Sequence, residues 1–324
     1  MKTLFVMDPL DRIHVSGDST YMLMLELCRR DQPVWWCTPD QLRAEEGQAL
    51  ALCQRVQVGT APPWFHPQED EDLPLGAFDV VWMRKDPPYD IAYVFTTYLL
   101  DLAPPSTLVL NRASSLRDFN EKMATFRWPE LCTPTLVTQD IARAVAWARK
   151  APGKVVVKPW DGNGGRGVLV THGEDGNLRS IIEVLSDEGR RAVILQHYIP
   201  AIVQGDKRII LLEGEPVGWM MRVPQPGDHR GNMHAGARVE ACTLTERDRQ
   251  ICAALGPVLR EYGLVFVGID VIGDFLTEIN VTSPTGIQEI NRLMGTRLER
   301  DLTDLVAARV ADRVAARPPG PGAR

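Results

Sequence analysis

Long apolar runs are missing from the 324-residue chain. No stretch approaches the roughly 18 consecutive apolar residues of a membrane span, and the opening Met1-Lys2-Thr3-Leu4-Phe5-Val6-Met7-Asp8 turns polar too early for a signal peptide. A cytoplasmic protein with no membrane partner is expected. Basic excess is missing as well: a formal net charge of −6 gives no field that would gather a nucleic-acid backbone, although a local basic pocket for a small anion remains open to it. Paired cysteines are absent too. The six cysteines, Cys28, Cys37, Cys53, Cys132, Cys242 and Cys252, include no C-x-x-C pair and have no histidines at zinc spacing, so they read as reduced core residues. The histidines at 14, 66, 172, 197, 229 and 234 form no triad or ligand spacing, and no internal repeat is visible. With 44% hydrophobic and 24% charged residues the composition is that of an ordinary globular protein, and its length predicts two or three domains.

The first third alternates short β-rich runs with helical patterns, as a parallel sheet with crossover helices does. Strands are expected at residues 4–7, 34–37, 78–83 and 107–110, with a helix capped by Ser19 and ending near Arg30. Functional loops of such sheets lie beyond the carboxyl ends of strands, where Arg84 and Lys85 fall. From about residue 112 the texture changes. Residues 155–159 and 192–196 read as strands flanking a glycine loop and a helix, and 208–212 with 217–223 read as a hairpin. Residues 224–237, rich in Pro, Gly, His and Asn, read as a mobile loop, expected to close as a lid over substrates. Helices are expected at 245–262 and 296–317, with two strands between them.

Two constellations carry chemistry. Asp161-Gly162-Asn163-Gly164-Gly165-Arg166-Gly167 satisfies G-x-G-x-x-G, but another strand, Val168-Leu169-Val170-Thr171, follows it where a dinucleotide fingerprint needs a helix, and no Gly-Lys-Ser/Thr follows for a Walker loop. What remains is a hairpin whose amides can fold over a polyphosphate beside Lys158, or a plain surface turn. The second lies between Val265 and Val281. A two-residue turn at Gly273-Asp274 would set Asp270 opposite Thr277 and send Glu278 to the other face. A three-residue loop over Gly273, Asp274 and Phe275 instead pairs Asp270 with Glu278 and Gly268 with Asn280. That register sorts Val267, Ile269, Val271, Ile279 and Val281 onto one apolar face and Asp270, Glu278 and Asn280 onto the other. Facing carboxylates demand a cation, and two acids with an amide suit Mg²⁺ or Mn²⁺, with the remaining oxygens drawn from substrate phosphates.

From Met7-Asp8-Pro9 to about residue 290 the chain resembles the bacterial type of glutathione synthetase, an ATP-grasp ligase family. The resemblance rests on Met83-Arg84-Lys85-Asp86-Pro87-Pro88, Ser115-Leu116-Arg117-Asp118, Asn120-Glu121-Lys122, the glycine loop, Gly205-Asp206-Lys207-Arg208, Arg230-Gly231-Asn232 and Val281-Thr282-Ser283-Pro284-Thr285. The chain departs from the family pattern at Asn163, Arg166, His197 and Ala237. The resemblance implies an open parallel-sheet α/β domain at 1–118 and a two-lobed α+β ATP-grasp region at 119–317, divided into 119–195 and 196–317, before a frayed tail at 318–324. It implies ATP-dependent joining of γ-glutamylcysteine to glycine through an acyl phosphate, in a homotetramer. Residue by residue, it implies ATP phosphates at Lys122, Lys158, Gly162, Gly164 and Gly165, adenine along Gln196, His197, Tyr198 and Ile199, and Asp206 near the nucleoside. Arg208, Arg222 and Arg230 are implied as catalytic cations, Arg84, Asn232, Ser283 and Thr285 as dipeptide or product contacts, and Asp270, Glu278 and Asn280 as metal ligands. A ligase joining a different amino acid and carboxylate, or an ATP-binding regulatory protein of the same fold, remains the alternative.

Overall fold

The computed structural model describes residues 1–162, 164–225 and 236–315, and three sheets follow one another along the chain. The first third supplies β1 (Thr3–Val6), α1 (Ser19–Arg29), β2 (Val34–Cys37), β3 (Leu42–Glu45), β4 (Gln48–Val58), β5 (Phe65–Pro74), β6 (Val80–Met83), α2 (Ile91–Leu100) and β7 (Leu108–Leu110). Strands β2, β1, β6 and β7 pair in parallel, and every residue of β1 and β6 is buried, as expected for a sheet covered on both faces. An antiparallel extension of β4, β3 and β5 then lengthens this parallel core beyond β2, an addition the sequence pattern does not announce. The cap of α1 is Asp18, whose carboxylate accepts from Tyr21 N at 2.6 Å, so Ser19 is the first helical residue rather than the cap.

After α3 (Ala113–Asp118), the second sheet is antiparallel, ordered β10-β9-β11-β8. It is made from β8 (Thr135–Thr138), α4 (Ile141–Lys150), β9 (Lys154–Pro159), β10 (Leu169–His172), α5 (Leu178–Leu185) and β11 (Val193–His197). The third, ordered β14-β13-β12-β15-β16, contains β12 (Asp206–Leu212), β13 (Glu215–Val223), β14 (Arg238–Glu240), β15 (Phe266–Ile272) and β16 (Phe275–Asn280). Helix α6 (Glu246–Glu261) packs on this sheet, and α7 (Ile287–Met294) and α8 (Leu298–Ala315) close the chain. Helix α6 begins after Thr245 and stops at Tyr262, as its apolar period predicts.

The largest cores join the first and third sheets. Val6, Val81 and Met83 share one cluster with Ile209, Val267 and Ile279, and Phe5, Val80 and Trp82 share the other with Ile210, Phe266 and Ile290. Asn111 fastens the seam, donating to the carbonyls of Phe266 and Val281 at 2.8 Å each and accepting from the amides of Val265 and Phe266 at 2.8 and 3.0 Å. The second sheet has its own small core of Ala144, Ala148, Val155, Val157, Leu178, Ile182, Val193 and Leu195. No helix among the described residues is long and apolar enough to cross a membrane. All six cysteines are free, and burial pushes the thiols of Cys53 and Cys252 up to about 12, in keeping with inert core residues.

Candidate active site

The hairpin of β15 and β16 sets the site. Asp270 stands opposite Glu278 and Gly268 opposite Asn280, the pairing expected from polarity, yet the turn is the short one: Ile272 pairs with Phe275 across Gly273-Asp274. A β-bulge absorbs the odd residue. It leaves Thr277 unpaired between Leu276 and Glu278, with its hydroxyl donating to the Asp270 carbonyl at 3.0 Å, and the two acids stay on one face. The three-residue loop is therefore corrected to a two-residue turn plus a bulge. Val267, Ile269, Val271, Ile279 and Val281 all enter the core behind this face.

Neighbouring strands add cations in register. On β12, Asp206 and Arg208 are two apart and share a face; Asp206 pairs with Arg222 of β13, and Arg208 pairs with Asp270 of β15. The Arg208 guanidinium forks onto Asp270, Nε to Oδ1 at 2.6 Å and Nη2 to Oδ2 at 3.0 Å. Arg222 Nη2 bridges Asp206 at 2.5 Å and Asp270 at 3.0 Å. A side chain at position 268 would press within 3.2 Å of Arg208, so Gly268 lets the guanidinium lie across the sheet. Burial works against the Asp270 charge, but Arg208 and Arg222 overcome it and hold the carboxyl well below the usual range. Asp206 has no such surplus of cations: burial pushes it up, to about 7, against the pull of Arg222.

Two lysines face this row. Lys122, which precedes a short 3₁₀ turn at Met123–Arg127, donates to the Gly162 carbonyl at 2.6 Å, pairs with Glu121, and lies 3.3 Å from Glu278. Burial alone would lower it; Glu278 and Glu121 raise it above the ordinary lysine value. Lys158, on β9, is buried, and among the described residues no carboxylate reaches its ammonium at ion-pair distance. Burial pushes its pKa down.

The two lobes flank a cleft that is open to solvent. Lys158, Gln196, His197, Tyr198, Ile199, Asp206, Asp270 and Glu278 line it, with Val156, Ile202 and Ile272 as apolar walls. An adjoining space of about 280 Å³ shares Lys158 and Glu278 and adds Lys122, Gly162, Gly164, Gly165 and Arg166. At Gly162 a Cβ would collide with the Pro159 ring at 2.6 Å, while Gly164 and Gly165 have φ of 60° and 77°, so the loop needs glycine at these points.

Arg84 stands apart from the cleft. It is buried, donates to Thr20 Oγ1 and to the Pro284 carbonyl at 3.0 Å each, and lies over the Phe266 ring at 5.2 Å, while burial lowers its pKa. Ser283 Oγ donates to the Arg84 carbonyl at 3.4 Å, and the Thr285 carbonyl accepts from Arg208 at 3.3 Å, so this group backs onto the arginine row. Asn163, Arg230 and Asn232, and all of the expected lid except its ends, lie outside the described residues. Glu121 escapes the sequence reading as a site residue; its carboxyl, raised by burial and by Glu278, shares Lys122 with Glu278. Only long-range pairing brings it there, so adjacency to Lys122 was the sole sequence signal.

For a divalent metal, the chemistry of the donor set fits. Asp270 is held ionised, Glu278 and Asn280 are oxygen donors on the same face, and Asn280 Nδ2 already lies 3.3 Å from Asp270 Oδ2. Among the described residues no three His, Cys, Asp or Glu side chains gather into a metal cluster, and the oxygen donors on this face are two carboxylates and one amide. Such an incomplete set suits an ion that borrows ligands from phosphate.

Comparison with known proteins follows the same lines. The family model for the prokaryotic glutathione synthetase N-terminal domain matches residues 1–117, and that for the prokaryotic glutathione synthetase ATP-grasp domain matches 121–295. The chain is 45% identical over 309 residues to a glutathione synthetase of Thermosynechococcus vestitus, covering 92% of this chain and 97% of that protein. It is 44% identical over 313 residues to one of Pseudomonas putida, covering 95% and 98%. Among solved structures, D-cycloserine synthetase DcsG superposes with a TM-score of 0.65 at 16% identity, covering 95% of this chain and 99% of that one. D-alanyl-alanine synthetase A from Vibrio cholerae gives 0.61 at 16%, covering 96% and 98%. These two likenesses speak to the fold.

Proposed function

The chain belongs to the prokaryotic glutathione synthetase family of ATP-dependent ligases, and from that premise we propose that it joins γ-glutamylcysteine to glycine in the cleft between its second and third sheets. The observation that carries the reading is the buried Lys158 ammonium, without an ion pair among the described residues, facing the Arg208, Arg222, Asp270 and Glu278 row, a site that needs a polyanion to complete it. ATP phosphates would take Lys158, Lys122 and the amides around Gly162, Gly164 and Gly165, with adenine against Gln196 to Ile199 and Asp206 near the nucleoside. Asp270, Glu278 and Asn280 would hold Mg²⁺ or Mn²⁺, which when bound would neutralise phosphate charge.

The cysteinyl carboxylate of the dipeptide takes the γ-phosphoryl group, ADP leaves, and the glycine amine then displaces phosphate from the acyl phosphate. Such chemistry asks the protein for position and positive charge rather than for a nucleophile, and Arg208 and Arg222 supply that charge from fixed positions. Arg84, Ser283 and Thr285 are proposed for the dipeptide end, behind the arginine row. Residues 1–118 and 119–317 are read as the two domains, in a cytoplasmic homotetramer. The test is phosphate release from Mg-ATP with γ-glutamylcysteine and a panel of amino acids, omitting each component in turn. ADP, phosphate and glutathione should appear in equal amounts only when dipeptide and glycine are both present. Comparable rates with unrelated carboxylates or amines would reassign the chain to another ATP-grasp ligation.

A further inference from the structure

Helix α2 is apolar all round. From Ile91 to Leu100 it carries no charged residue, and the nearest are Asp90 and Asp101 at its two ends. One face is used: Tyr93, Leu99 and Leu100 enter the core shared by the first and third sheets. The other is open. Ile91 is 82% exposed, Phe95 61%, Tyr98 56% and Leu102, two residues past the end, 43%, so four of the eleven exposed large hydrophobics among the described residues stand on one helical stripe. A helix that is hydrophobic on every side belongs in an interior. The stripe amounts to on the order of 400 Å² of apolar surface, the size at which a patch marks an interaction site.

The pattern of the stripe identifies the occupant. Its spacings run four, three, four along Ile91, Phe95, Tyr98 and Leu102, a palindrome. Two copies of such a stripe packed antiparallel about a twofold axis set Phe95 of each against Tyr98 of the other and Ile91 against Leu102. Charge agrees with that arrangement. Asp90, exposed at the amino end, caps the helix, while Arg117 sits at the carboxyl end, 4.3 Å from the Tyr98 ring centre and ion-paired with Asp101 at 2.5 Å. The antiparallel pair therefore brings the Asp90 end of one copy to the Arg117 end of the other and opposes the two helix dipoles. The patch supplies about half of the ~800 Å² per partner of a standard interface, which makes it an apolar centre for a polar rim.

We propose that the exposed face of α2 is a twofold interface between two copies of this chain. The inference rests on the reading of the chain as a homo-oligomer and adds the surface. Sedimentation equilibrium of the full chain at micromolar concentration should give an even-numbered oligomer, and Phe95→Lys with Tyr98→Lys should halve its mass while each subunit keeps its ligase activity. As a second measure, Phe95→Cys and Tyr98→Cys chains, expressed together and oxidised, should form covalent dimers in larger yield than either variant alone. A wild-type oligomer whose mass the lysine pair leaves unchanged would overturn the surface but keep the oligomer. A monomeric wild type would overturn both, and leave the face to a different protein. A cysteine mixture that cross-links no better than its components would overturn the antiparallel geometry.

Discussion

Lys158 is a buried residue on the wall of the cleft, among the described residues no carboxylate pairs with its ammonium, and burial, only partly offset by Glu278, pulls its pKa down. Such a group costs the empty protein stability and repays it when a phosphate arrives. Replacing it by methionine, Lys158→Met, should leave apo stability unchanged or raise it by about 1 kcal/mol, and should abolish the stabilisation, about 2.7 kcal/mol at a hundredfold excess over Kd, that Mg-ATP gives the wild type. Thermal melts with and without Mg-ATP measure both; an undiminished nucleotide shift in the variant would remove Lys158 from the phosphate site. Asp206 offers a pH signature. Its folded pKa, about 7, lies above an unfolded value near ~3.9, so between those values the unfolded chain has released a proton that the folded chain retains, and stability falls as pH rises through the window. Asp270, with its folded pKa depressed, acts elsewhere: its contribution is present above roughly pH 4 and lost on further acidification. Urea melts of wild type and Asp206→Asn from pH 4 to 8 should show the difference moving in favour of the asparagine variant as pH rises. Movement the other way would mean that the Arg222 ion pair outweighs burial.

At the scale of elements, β12 is held to α6 by one buried pair. Lys207 points away from the catalytic face and pairs with Asp248, whose carboxylate also accepts from the amide and hydroxyl of Thr245 at 2.7 and 2.9 Å in the capping box of α6. Asp248→Ala would remove the return bonds of the capping box and leave the buried Lys207 ammonium with only the Thr243 carbonyl, at 3.2 Å, so a loss of about 3–5 kcal/mol is expected in chemical denaturation. A loss under 1 kcal/mol would show that Lys207 escapes to solvent. What the sequence discloses divides along the same lines. Strands with strong apolar content, such as β1, β2 and β6, and α6 with its cap declare themselves by local pattern. The antiparallel β4 and β5 do not: β4 buries the small residues Ala49, Ala51 and Cys53, and β5 reads Phe-His-Pro-Gln-Glu-Asp-Glu-Asp-Leu-Pro, an acidic, proline-bearing strand at the edge of the sheet. In the site, polarity along β15 and β16 was enough to pair Asp270 with Glu278, because burying a carboxylate among Val267, Ile269 and Ile279 is forbidden. The bulge at Thr277 was not legible. Polarity reports which residues share a face, and both a longer turn and a bulge satisfy it. The arginine row needed tertiary information, since nothing local says that Arg208 faces Asp270 across 62 residues of chain.

At the scale of the whole molecule, the cleft joins two bodies of unequal firmness. The first and third sheets share two large cores and the Asn111 seam, whereas the second sheet rests on eight buried side chains, two of them alanines. Smaller cores open at lower free energy. Yet Lys158 and Gln196 come from the weaker lobe, and Asp206, Asp270 and Glu278 from the firmer one, so a ligand that contacts both ties the first to the second. Amide hydrogen exchange should therefore find β8 to β11 opening independently in the apo protein, well before β1, β6 and β15. Mg-ATP should slow exchange in β9 and β11 most, because the ligand binds only the closed form and the free energy of binding is added to the cost of local opening. The catalytic sheet, whose amides open only with the whole molecule, should change less. Equal apo exchange rates in β9 and β1 would mean that the lobes unfold as one unit. Nucleotide protection confined to β15 and β16 would mean that the phosphates do not reach Lys158, and the cleft would lose the contact that makes it a two-lobed site.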